Sequence, residues 1–187
     1  TVTATTLSNG CSSMDSVMIK QDTTFVSILN NTGATELNCN NSSVSVTATG
    51  GTAYTWNGGN SPATASNTFT VSGVYTVTVT NNNGCDSIAG ITITEDLTNP
   101  TIVLTNNTGG ATQVDCNNSL ISITASGGIT YSWTGGGSMT TATNAFASAG
   151  SYSVTVTGSN GCSSMDSVII TLDTLASSLS LTNNSSS

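Results

Sequence analysis

The chain has no histidine and no arginine, and Lys20 is its one basic side chain against nine acids. Each absence excludes something. Without clustered Lys or Arg nothing can neutralise a phosphate backbone, so nucleic acid is excluded as a partner. The missing His and Arg also remove most general bases, oxyanion clamps and Ser–His nucleophile pairs, and no enzymatic activity is expected. A two-carboxylate glycosidase needs acids ~5–10 Å apart in a cleft, whereas these acids recur at strand edges and repeat junctions. Zinc is disfavoured, because no His and no paired Cys-x-x-Cys is present. Lys–Asn isopeptide crosslinks are barred within residues 23–173, since Lys20 precedes them. No window holds the ~18 apolar residues of a membrane helix, and no export leader is visible.

What is there is Thr, Ser, Asn and Gly, with Val, Ile, Tyr and Trp alternating among them. Such alternation argues against disorder, and the β-branched bias with few helix formers argues for strands. The order of motifs repeats. Ser43-Val44-Ser45-Val46-Thr47-Ala48, Tyr54-Thr55-Trp56, Phe69 and Val74-Tyr75-Thr76-Val77-Thr78-Val79 come first, closing on Asn83-Gly84-Cys85-Asp86-Ser87-Ile88. The same series returns as Leu120-Ile121-Ser122-Ile123-Thr124-Ala125, Tyr131-Ser132-Trp133, Phe146 and Ser151-Tyr152-Ser153-Val154-Thr155-Val156. It closes on Asn160-Gly161-Cys162 and Asp166-Ser167-Val168. The interval from Cys39 to Cys116 equals that from Cys85 to Cys162, which fixes the register.

Residues 8–17 are identical to residues 159–168. Residues 1–22 are therefore expected to be the C-terminal strands of a preceding repeat, and 174–187 the first strand of a following one. Residues 23–96 and 97–173 are the two full domains. The opening copy matches the second domain better than the first, which suggests an alternating super-repeat two domains long. Thr1 opens in what reads as mid-strand, so the sequence is expected to be a piece of a longer array. Each repeat shows about seven short strands between Gly/Asn/Ser turns, the pattern of an all-β, Ig-like Greek-key sandwich. Strands are expected at 24–29, 43–49, 53–57, 66–71, 74–80 and 86–94, with a weak seventh between 57 and 66. Short junctions predict a stiff rod.

Eight of the nine aromatics form repeat-equivalent pairs, including Trp56/Trp133 and Tyr75/Tyr152, and this repetition points to core packing. A sugar-binding platform would require further exposed rings, and only Phe25 is left over. The five cysteines, Cys11, Cys39, Cys85, Cys116 and Cys162, read as disulfide candidates of an oxidising compartment. Equal spacing suggests Cys39–Cys85 and Cys116–Cys162, one bridge per domain. Strand geometry objects, placing those ends about 20 Å apart for six residues at ~3.3 Å each, where a bridge needs Cα atoms within ~7 Å. The alternative joins Cys39 to Cys162 across the junction, leaving Cys11, Cys85 and Cys116 to find partners one domain along. No cofactor is expected. Calcium at the junction acids Asp22, Glu95, Asp96 and Asp173 is thinly supported, since a site takes six to eight oxygens.

The series VSVTATGG, YTW and SGVYTVTVTNNNGC resembles the SprB-type, PKD/Ig-like repeats of Bacteroidota surface adhesins exported by type IX secretion. The resemblance spans both full domains and the partial ends, and departs from the family's usual Pro-Tyr before the Trp strand. It implies an extracellular or cell-surface filament, a structural or adhesive role, and no catalytic residues. Its implied partners are neighbouring repeats of the same chain, lateral copies in a fibre, and surface glycans or other cells. Five aspartates precede Ser or Thr in a pattern resembling the Bacteroidota O-glycosylation sequon, which makes Ser16, Thr23, Ser87, Ser167 and Thr174 candidates. A different reading is a carbohydrate-binding accessory module of a secreted hydrolase. It predicts exposed aromatics in one copy that the other lacks.

Overall fold

A computed structural model describes residues 1–19, 21 and 25–173. Thr23, Thr174, Asp22, Lys20 and the strand expected over 174–187 lie outside the described residues. Sixteen strands are present among those described. β1 (Val2–Thr5) and β2 (Ser12–Asp15) form an isolated hairpin. Domain 1 then contributes β3 (Ser27–Asn30), β4 (Glu36–Asn38), β5 (Val44–Thr49), β6 (Ala53–Trp56), β7 (Ser66–Phe69), β8 (Gly73–Thr80) and β9 (Asp86–Asp96). Domain 2 repeats the series as β10 (Val103–Asn106), β11 (Gln113–Val114), β12 (Ile121–Ser126), β13 (Thr130–Trp133), β14 (Thr143–Phe146), β15 (Gly150–Thr157) and β16 (Ser163–Leu172).

Each domain is a sandwich of a three-stranded and a four-stranded sheet. The orders are β3-β5-β7 with β4-β9-β8-β6, and β10-β12-β14 with β11-β16-β15-β13. All pairings are antiparallel except β4 with β9 and β11 with β16. That exception is where the sequence expectation failed. The seventh strand is not in 57–66, which forms turns; it is the three-residue β4, lying parallel against the end of β9. A strand as short as ELN gives too little alternation to be legible.

Alternation builds the core. In β5 Val44, Val46 and Ala48 point inward and are buried, with Ser45 and Thr47 between them on the outer face. In β8 Val77 and Val79 are buried and Tyr75 half-buried on the same face. Trp56 meets Phe69 edge-on at 5.6 Å, and Phe69 stacks on Tyr75 at 4.0 Å. Trp133, Phe146 and Tyr152 repeat this at 5.5 and 4.3 Å, so the four candidate core aromatics do pack the cores. Each polar tip is satisfied. Trp56 Nε1 donates to Thr64 O at 2.9 Å, and Tyr75 OH donates to Val71 O at 2.9 Å, four residues upstream. The second is the tyrosine corner of Ig-type sandwiches.

A buried amide holds the turn that replaces the expected strand. Asn67 accepts from Ser61 N and Thr68 N through Oδ1, and donates to Gly58 O at 2.7 Å. Asn144 does the same with Ser138 N, Ala145 N and Gly135 O. Both are nearly inaccessible, and the loop's backbone groups take the place of water around them. No helix among the described residues is long and apolar enough to cross a membrane.

Candidate functional site at the domain junction

The parallel strand β4 determines where the first cysteine of domain 1 goes. Pairing Leu37 with Glu95 and Asn38 with Asp96 brings the chain alongside the exit of β9, so Cys39 stands at the C-terminal end of domain 1. Cys85 stands at the other end, in the turn just before Asp86, where β9 begins. The ten steps along β9 from Asp86 to Asp96, at ~3.3 Å each, separate the two ends by about 33 Å. This exceeds the separation estimated from the sequence, because Cys39 follows β4 and is not at the start of β5. An intradomain bridge is out of reach.

Cys39 is instead bonded to Cys162, with Cα atoms 5.0 Å apart and a sequence separation of 123. Cys162 lies in the turn joining β15 to β16, at the end of domain 2 that faces domain 1. The turn is tied by Gly158 N to Cys162 O at 2.8 Å and Gly161 N to Gly158 O at 3.1 Å. The opposing loop is fixed by Asn38, whose Oδ1 accepts from Asn40 N and Asn41 N. Across the gap Cys39 N donates to Asn160 O at 3.1 Å. Asn160 also donates through Nδ2 to Thr98 O at 2.8 Å and Asp96 O at 3.4 Å, and accepts from Cys162 N. One side chain therefore ties the domain 2 turn to the linker, beside the bridge.

Gly161 completes the fit. Its φ is +79°, a left-handed conformation that favours glycine, and a Cβ there would overlap the side chain of Asn40. Cys162 is 1% exposed as a result, whereas Cys11, Cys85 and Cys116 are free thiols in exposed positions. Asp96 accepts from Thr98 N at 3.0 Å. Hydrogen bonds from the Thr98 backbone and side chain, then from the Asn160 side chain, hold its carboxyl below the usual range against a smaller opposing effect of desolvation. A cleft of about 490 Å³ beside the bridge is lined by Asp96, Pro100, Gly128, Ile129 and Asn160, among others. Among the described residues no group of three His, Cys, Asp or Glu is placed to hold a metal ion. Asp96 instead serves as a turn acceptor for the linker.

The remaining sequence candidates are scattered. Ser16 and Ser167 are exposed, each with its amide donating to the preceding aspartate at 2.8 Å. Ser87 pairs with buried Val79 on the inner face of its strand and is half-buried, while Ser167 pairs with Ser153 on the outer face. These Asp-Ser steps are not equivalent positions of the repeat. Sequence reasoning missed Asn67, Asn144 and Asn160, since in so Asn-rich a chain nothing marks the buried ones. Their recurrence before Thr68-Phe69 and Ala145-Phe146, and in the three Asn-Gly-Cys triplets that open at Asn9, Asn83 and Asn160, was the available signal.

No protein-family model and no curated protein matches the sequence. Among solved structures, the fibronectin(III)-like modules of Clostridium thermocellum CbhA align at 12% identity with a TM-score of 0.35. The alignment covers 83% of this chain and all of that one. The Ig-like sandwich assignment rests on strand order and pairing, which the two domains share element by element.

Proposed function

We propose that this chain is a structural segment of a long extracellular array, a stalk in which repeated sandwiches set length and covalent bridges set stiffness. The observation that carries the reading is the Cys39–Cys162 bridge between consecutive domains. A single linker from Asp96 to Pro100 would act as a pivot, whereas linker and disulfide together are two attachments. A disulfide persists in an oxidising compartment, which supports a location outside the cell. The resemblance to SprB-type adhesin repeats supports the surface-filament form of the proposal. The carbohydrate-module reading gains nothing from the aromatics. Their repeat-equivalent pairs pack in or against the two cores, and exposed Phe25 stands alone.

Electron microscopy or small-angle scattering of the purified chain tests this. Two domains held in line in oxidising buffer, with a broader spread of angles after reduction, is the expected outcome. An unchanged angular spread on reduction rejects the stalk function of the bridge. Peptide mapping under non-reducing conditions that recovers Cys39 joined to Cys85 rejects it outright.

A further inference from the structure

The chain has four Asn-Gly steps, at Asn9, Asn57, Asn83 and Asn160. An asparagine followed by glycine loses its side-chain amide spontaneously with little hindrance, because no Cβ shields the glycine nitrogen from the side-chain carbonyl carbon. The reaction needs the Asn–Gly peptide plane to turn until that nitrogen faces Cγ. At Asn160 the plane is held by both edges. Its oxygen accepts from Cys39 N at 3.1 Å, across the domain gap, and its nitrogen, Gly161 N, donates to Gly158 O at 3.1 Å. The side-chain amide is held too, with Nδ2 on Thr98 O at 2.8 Å and Oδ1 under Cys162 N at 3.1 Å. From domain 1, the Asn40 side chain fills the space where a Gly161 Cβ would be.

Two of these restraints, the Cys39 amide and the Asn40 side chain, come from domain 1 and hold only while the two domains are docked. Asn57–Gly58 makes the contrast. Asn57 Oδ1 accepts from Thr76 N at 2.9 Å and Nδ2 donates to Val74 O at 3.3 Å, so its restraints lie within domain 1. Opening the junction therefore reaches Asn160 and leaves Asn57 alone. Conversion of Asn160 to an acid would also undo the clamp. A carboxylate accepts and does not donate, yet this side chain faces two carbonyl oxygens, Thr98 O and Asp96 O. It also donates to the Asp96 carboxylate, whose like charge would repel a second one.

We propose that Asn160–Gly161 is a deamidation site gated by the junction, closed while Cys39–Cys162 is intact and released when that bridge is reduced. Such gating goes beyond the stalk reading and shares only the bridge with it. Gly161 N, giving up its proton to hydroxide, attacks Cγ of Asn160. The N–Cγ bond forms, the Cγ–Nδ2 bond breaks, and Nδ2 takes up a proton and leaves as ammonia. Water then opens the cyclic imide at either carbonyl, giving aspartate or isoaspartate at position 160. One water enters and one ammonia leaves, with no change of oxidation state. The product is an acid among acceptors, so a junction that stays open long enough to react does not close again.

The full chain is aged in neutral buffer in three forms: oxidised, reduced with dithiothreitol, and as Cys39→Ser. Peptide mapping by mass spectrometry follows amide-to-acid conversion at each Asn-Gly step. Conversion at Asn160 is expected to run roughly tenfold faster in the reduced chain and in Cys39→Ser than in the oxidised chain, the effect of one hydrogen bond lost across the gap. The rate at Asn57 should stay the same in all three. Equal rates at Asn160 in the oxidised and reduced chains overturn the gating, and so does a parallel acceleration at Asn57, the mark of general unfolding. Reoxidation checks the product. At a fixed glutathione ratio, Asn160→Asp should regain Cys39–Cys162 with an equilibrium constant roughly tenfold below that of the unaged chain, and equal recovery refutes the one-way opening. Equal rates at Asn160 together with a wider angular spread on reduction overturn this inference and leave the stalk reading standing.

Discussion

Pulling the chain from Phe25 and Asp173 isolates what the bridge does. With the disulfide intact, the covalent path runs from Phe25 to Cys39, crosses the bridge, and continues from Cys162 to Asp173. At ~3.4 Å per residue that path extends to about 90 Å. With the bridge reduced, the path is the whole segment from Phe25 to Asp173 and extends to about 500 Å at the same ~3.4 Å per residue. The intact bridge thus shields β5 to β15 from load, and force can peel only β3, β4 and β16. The same closed loop of 123 residues lowers the entropy of the unfolded chain by about 5 kcal/mol at room temperature in the chain-entropy model. Single-molecule force spectroscopy with handles at those positions, before and after dithiothreitol, measures both lengths. Release to the longer length without reductant, or identical traces in both conditions, refutes this load path.

Other perturbations probe the core, the linker and the surface. Asn144→Ala leaves Gly135 O, Ser138 N and Ala145 N without their partner and should cost domain 2 about 2–4 kcal/mol in denaturant unfolding; a loss below ~0.5 kcal/mol, the size expected of a surface change, would show that water replaces the amide. Asp96 has a lowered folded pKa, so its contribution is fully present above the ordinary carboxylate pKa and is lost as pH falls through the lowered value. Hydrogen exchange of the Thr98 amide should therefore quicken on acidification below about pH 4, beyond the intrinsic trend, and Asp96→Asn should remove that dependence. If the Asp-Ser steps are glycosylated in native material, Ser16 and Ser167 carry the mass and half-buried Ser87 does not; a bare polypeptide mass rejects the sequon reading.

The sandwich was legible because its core is written twice. Two copies of an alternating pattern, one repeat apart, made Val77 and Val154, or Trp56 and Trp133, recognisable as inward positions by their recurrence. Of the two readings the cysteines left open, the structure contains the interdomain bridge. What strand counting lacked was β4, since so short a parallel pairing depends on the far end of β9 and leaves no period of its own. The junction was less legible still. Asn160 is one asparagine among many, and only the arrival of Asp96 and Thr98 from another domain makes it a clamp.

The separation of Cys39 from Cys85 also dictates an order of events. In a chain emerging from its N-terminus, Cys85 follows Cys39 long before Cys162 does. In an unfolded chain a loop of roughly 46 residues is favoured over one of 123 residues by about 0.9 kcal/mol of closure entropy, roughly fourfold. An oxidant acting early would therefore make the wrong bond more often than the right one. Folding of domain 1 removes that choice by carrying the two sulfurs to opposite ends of β9. Cys39 must then wait as a thiol until the last hairpin of domain 2 is complete. The fold serves as the proofreader of its own crosslink, and the bond records that the neighbouring domain has finished folding.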